Sequence, residues 1–100
     1  GRFRDAVTSF ETAIKLDPES GKAYYGLGNA LSDMKDFDGG IRAYQTALTL
    51  DPTLFPAHYY IGDNLLTLGE NEKAVIAFKN YLDHREDDSV RALVNELIGK

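Results

Sequence analysis

His58 and His84 are the only imidazoles in the chain, and either side chain has the chemistry to ligate a metal or move a proton near neutral pH. They stand far apart in sequence on different helical segments, and His58 falls at an inward aromatic position, where packing outweighs ligation or acid–base work. His84 is followed by Glu86, Asp87 and Asp88, oxygen donors of the kind that hold divalent cations. The same carboxylates suit a solvated turn that caps the next helix, and that reading is preferred. Gly26-Leu27-Gly28-Asn29 opens like a dinucleotide fingerprint, but Leu31 occupies the third glycine position and no strand precedes the run. No Ser, His and Asp set has a spacing that suggests a triad, and the absence of cysteine removes disulfides, thiolate metal sites and cysteine nucleophiles. Catalysis, a cofactor and a metal are therefore not expected.

Composition narrows the remaining classes. The 100 residues are 43% hydrophobic and 27% charged, within the globular range, and a chain of this size buries roughly two thirds of its unfolded surface. No apolar run is long enough to span a bilayer, so membrane insertion is not expected. A net charge of -5, with eleven Lys and Arg scattered rather than clustered, argues against nucleic acid as a partner. The chain opens at Gly1 without Met or an apolar leader and in the middle of a pattern, so it reads as a fragment.

The elements that must position any site are helices. Phe3, Ala6, Val7, Phe10, Ala13 and Ile14 form one apolar stripe at helical spacing, which predicts a helix over 3–16 that Asp17-Pro18 terminates. Ser20 is placed to cap a second helix over 21–34, with Ala23, Tyr24, Leu27, Ala30 and Leu31 inward. Lys35-Asp36 makes a turn into a third helix over 37–50, which Asp51-Pro52 ends as Asp17-Pro18 ended the first. Pro56 suits the first turn of a fourth helix over 56–68, and Gly69 its C-terminal cap. A fifth helix over 72–83 and a sixth over 89–98 complete an all-α stack of antiparallel pairs with no strand signal.

A repeat runs through these helices. Tyr24-x-x-Leu27-Gly28-x-x-Leu31, Gly40-x-x-x-Tyr44, Ala47 and Pro52 return 34 positions later as His58-x-x-Ile61-Gly62-x-x-Leu65 and Ala74-x-x-x-Phe78. The second half also stands 34 positions earlier as Ala6-x-x-x-Phe10, Ala13 and Pro18. The frame resembles the tetratricopeptide repeat, a helix-turn-helix unit of that period. It departs from the family pattern at Tyr81, where a small residue is expected, and at Glu86, where proline is. The resemblance implies an all-α, right-handed solenoid forming one domain over 1–100. Residues 1–20 would be the second helix of a truncated repeat, 21–54 and 55–88 full repeats, and 89–100 a capping helix. Glycine inside a helix costs roughly 0.5–1 kcal/mol against alanine, so Gly28 and Gly62 imply close helix approach; alanine there is expected to be mild, leucine to overpack.

Carried over by position, the family's groove-lining helix faces place Lys22, Tyr25, Asn29, Ser32 and Asp33 in one unit and Pro56, Tyr59, Asp63, Leu66 and Thr67 in the next. The resemblance thus implies a scaffold that holds a protein or peptide partner in a concave groove, with Tyr25 and Tyr59 as exposed anchors. One branch of the family clamps the C-terminal carboxylate of chaperones with Lys, Asn and Arg. Only Asn29 meets that pattern, and Asp63 would repel a carboxylate, so chaperone tails are disfavoured. The alternative is a homo-oligomer formed through the unpaired first helix, whose Val7, Phe10 and Ile14 would be partly uncovered. In the last helix, the 34-residue frame would turn Ala92, Asn95 and Glu96 inward, whereas the apolar stripe is Val90, Leu93, Val94 and Leu97. A cap rotated out of the repeat's register is therefore expected, with Tyr81 and Glu86 belonging to its junction.

Overall fold

The computed structural model describes residues 1–99, and every regular element among them is helical. Six α-helices follow one another: α1 (Arg2–Leu16), α2 (Gly21–Asp33), α3 (Phe37–Leu50), α4 (Pro56–Thr67), α5 (Asn71–Leu82) and α6 (Asp88–Ile98). Each helix packs chiefly on its neighbours in sequence, the one-dimensional stacking of a repeat protein, and the stack is elongated at 44 × 27 × 17 Å.

Local chemistry sets the helix ends. Asp17 and Asp51 take nearly the same extended conformation, with φ of -144° and -148°, because the proline that follows each disfavours the helical region. Their carboxylates then accept the amides of Glu19 at 3.1 Å and Thr53 at 3.0 Å. Ser20 caps α2 by accepting the Ala23 amide at 3.1 Å, and Asp36 caps α3 by accepting that of Gly39 at 3.0 Å. Lys35 and Gly69, one period apart, both leave their helices in the left-handed region, with φ of 67° and 81°. In each turn the next amide reaches back five residues, Asp36 to the Leu31 carbonyl and Glu70 to that of Leu65.

The core is a row of aromatic rings set against glycines. A Cβ on Gly28 would lie 2.7 Å from the Tyr44 ring, and one on Gly62 2.7 Å from the Phe78 ring. Tyr44 and Phe78 are fully buried, so even alanine must displace a packed ring and is less mild than the helix propensity alone implies. Gly26 does the same for Phe10 of α1, leaving no room for a side chain against that ring. The α1 helix itself buries no residue completely, and Phe3 and Leu16 are exposed.

The last helix is rotated as its own stripe requires. Val90 and Val94 are buried, with Leu93 and Leu97 beside them, in the cluster of Ala74, Phe78 and Tyr81, while Ala92, Asn95 and Glu96 are exposed. Both departures from the repeat pattern meet this helix. The Tyr81 hydroxyl donates to Asp87, whose carboxylate caps α6 by accepting the amides of Ser89 and Val90. Glu86 accepts two hydrogen bonds from Arg91, at 2.7 and 3.0 Å.

Candidate functional site

Two histidines distant in sequence come together: the rings of His58 and His84 stack at 6.0 Å, and His84 stacks on Phe55 at 5.2 Å. Burial, and then the neighbouring His84, hold the His58 imidazole below its ordinary range. The pair joins the start of α4 to the segment just after α5, and the turn beyond it is the carboxylate-capped start of α6 already described.

A cleft of ≈ 440 Å³ beside α6 and one of ≈ 600 Å³ between α3 and α5 flank the stack. The larger one is floored by Ile41, Ile61 and Leu65; on its rim Glu70 and Lys73 pair with each other at 3.7 Å, and Asp38, Gln45 and Asn80 also line it. A cleft of ≈ 470 Å³ opens on the opposite side, between α2 and α4. Asn29, Ser32 and Asp33 line it from α2, Tyr60, Asp63 and Asn64 from α4, and Phe37 and Tyr44 from α3.

Its floor is organised by Tyr44. That ring stacks on Tyr60 at 5.8 Å with planes 21° apart and meets the edge of Tyr25 at 5.7 Å, while its hydroxyl donates to the Asn29 side-chain carbonyl. The Asn29 acceptor is thereby committed, and its NH₂ group is what it offers a ligand. Burial pushes the Tyr44 hydroxyl up to about 12, the neighbouring Ser32 hydroxyl pulling the other way. Asn64, buried, donates to Ser32 Oγ at 2.8 Å and ties α4 to α2. Gly40 makes room for that bond, since a Cβ there would lie 3.0 Å from the Asn64 amide nitrogen.

Of the residues expected on the groove face, the structure gathers Asn29, Ser32, Asp33 and Asp63 around this cleft. Lys22 is exposed at the start of α2 and outside its lining, as is Thr67, whose hydroxyl donates to the Asp63 carbonyl. Leu66 packs half-buried with the Phe78 cluster. Pro56 and Tyr59 line a neighbouring hollow of ≈ 360 Å³ that shares Tyr60 with the cleft. The expectation that Tyr25 and Tyr59 are exposed is corrected. Tyr25 is held between Tyr44 and Tyr60, and Tyr59 lies against Phe78 and Tyr81, so both are half-buried. The exposed tyrosine is Tyr60, at 40%. It stands one period after Gly26, which has no side chain to mark the position. Asn64 was equally hidden, although an amide one period after the buried Ala30 was a signal that something must satisfy it.

A tetratricopeptide repeat model matches residues 1–55 and, one period on, 27–90. The chain belongs to the tetratricopeptide repeat family. Solved structures agree with its fold. The crystal structure of MamA superposes with a TM-score of 0.80 at 30% identity over 85% of this chain, which spans 50% of that protein's length. The Yersinia enterocolitica type III secretion chaperone SycD, solved with a peptide of the translocator YopD, gives 0.85 at 19% identity, covering 99% of this repeat chain and 79% of SycD. The first repeat domain of Spaghetti (RPAP3), solved with the HSP90 peptide SRMEEVD, gives 0.88 at 15% identity with the same two coverages of 99% and 79%. No curated protein matches the sequence closely enough to add to these.

Proposed function

We propose that this tetratricopeptide repeat chain is a protein-interaction module that holds a peptide or helix of a partner in the cleft between α2 and α4, without catalysing a reaction. The observation that carries the reading is the convergence of an exposed ring, Tyr60, with polar groups from two non-consecutive helices over a rigid floor, Tyr44. Peptides bound by SycD and by the first repeat domain of RPAP3 support it as precedents on the same fold. In this reading, 21–54 and 55–88 are complete repeats, 1–20 is the second helix of a further one, and 89–100 is the cap.

Selection of binders from a random-peptide display library tests the site. Binding should be lost on Tyr60→Ala and kept on Gln45→Ala, which lies on the wall of the α3–α5 cleft; the reverse pattern would overturn it. The second reading is self-association through α1, favoured by the exposure of Phe3 and Leu16 at 50% and 84%. A molar mass that rises with concentration and stays at the monomer value in a Phe3→Ser, Leu16→Ser variant would select it.

A further inference from the structure

We infer that the cleft between α2 and α4 selects a partner segment carrying an arginine or lysine, whose cationic head sits on the Tyr60 ring between the Asp33 and Asp63 carboxylates. The inference rests on the cleft being the binding site and adds the chemistry of what enters it. Among the described residues that line the cleft there are two carboxylates, one from each wall, and no cationic side chain. Both carboxylates are exposed, and among the described residues neither forms an ion pair, unlike Glu70 and Glu86 elsewhere in the chain. A partner cation can therefore use them without breaking an existing pair.

The rings supply the second half of the recognition. Tyr60 stacks on Tyr44 and is crossed edge-on by Tyr25 and Tyr59, so it is held in place while remaining two-fifths exposed, as its 40% accessibility shows. A fixed, electron-rich ring beside carboxylates suits a guanidinium, which stacks flat on an aromatic face and bonds carboxylates at its edge. The carboxylates are near enough to influence these rings. After burial, Asp63 is the next cause raising the Tyr59 hydroxyl, and Asp33 is among the lesser causes raising that of Tyr44. An acidic segment would meet the opposite situation: two like charges and, to receive it, neutral donors alone, such as the Asn29 NH₂ and the Tyr60 hydroxyl.

The display library serves as the test, with a single-arginine peptide from the selected pool and its citrulline counterpart made as probes. Peptides that need Tyr60 should be enriched in arginine or lysine. Their affinity should fall about tenfold or more in Asp33→Asn, Asp63→Asn, and by a similar factor on arginine-to-citrulline exchange, with both losses shrinking at high salt. Neither asparagine leaves the site uncovered or changes its size, and an unchanged melting temperature would show the fold intact. Tyr60-dependent peptides that are neutral or acidic, or indifferent to the double variant, would overturn the inference and leave the cleft as the site. Peptides indifferent to Tyr60→Ala, or no enrichment at all, would remove the site and the inference together.

Discussion

The α2–α3 pair and the α4–α5 pair share one 34-residue register, yet they spend their equivalent positions differently. Tyr44 and Phe78 both fill the space against a helix glycine, but Tyr44 carries a hydroxyl bonded to Asn29 and borders the cleft, whereas Phe78 is enclosed by Val90 and Val94 of α6. At the turn, Lys35 adopts the left-handed conformation that Gly69 takes without a Cβ. At the following cap, Asp36 bonds the helix amide, while Glu70 makes no such bond and pairs with Lys73. The ring slot beside α6, filled by Phe78, is the drier one, and the slot beside the cleft, filled by Tyr44, keeps a hydroxyl in the same packing frame. Common geometry thus fixes backbone spacing, and the chemistry at each position is free to vary with what lies next to it.

The largest effect should come from filling the glycine slots. Leucine at Gly28 or Gly62 is expected to cost about 1–3 kcal/mol or more in urea unfolding, with Gly62→Leu the worse because Phe78 is locked by α6. Alanine should cost less, since its helix propensity offsets about 1 kcal/mol of the strain. A Gly62→Leu variant as stable as the parent would break the comparison at its core.

Converting one pair's chemistry to the other's should give smaller changes. Tyr44→Phe removes the hydrogen bond to Asn29 and should cost about 1 kcal/mol. The same variant tests alkaline behaviour. Because the folded state raises the Tyr44 hydroxyl to about 12, stability is retained below its unfolded value of 10.0 and falls as pH rises from there toward 12. Melting curves of Tyr44→Phe should be flatter across that window, and identical slopes would contradict the burial argument.

The turn should respond in the opposite direction. Lys35→Gly is expected to stabilise by about 1 kcal/mol, and Gly69→Lys to destabilise by a similar amount, because only glycine enters the left-handed region without a Cβ penalty. The smallest effect belongs to His58. Its folded state favours the neutral ring, so stability should be complete above pH 6.5 and decline as pH falls below it through the lowered value, a slope that His58→Phe removes.

Much of this was legible in the sequence because it depends on local rules with short reach. Proline after Asp17 and Asp51, Ser20 before α2 and the apolar stripes placed every helix to within a residue at either end. The rotation of α6 was legible too, since turning Asn95 and Glu96 inward would have buried polar groups. The cleft was legible only in part. Asn29, Ser32, Asp33 and Asp63 follow from the resemblance, at positions that line the family's groove, but which tyrosine stays exposed depends on the neighbours of each ring. Tyr25 and Tyr59 look like anchors along one helix and become half-buried once Tyr44, Phe78 and Tyr81 arrive from the next. The stacking of His84 on His58 likewise needs the return of α5 alongside α4.

Heteronuclear NMR of the chain titrated with a selected peptide tests the central claim most directly. Backbone and side-chain amide signals of Asn29, Ser32, Asp33, Tyr60, Asp63 and Asn64 should move together and saturate at one affinity, while those of Gln45, Thr49 and Ile76 stay in place. Shifts concentrated on Gln45, Thr49 and Ile76, with the α2–α4 signals unmoved, would contradict the account.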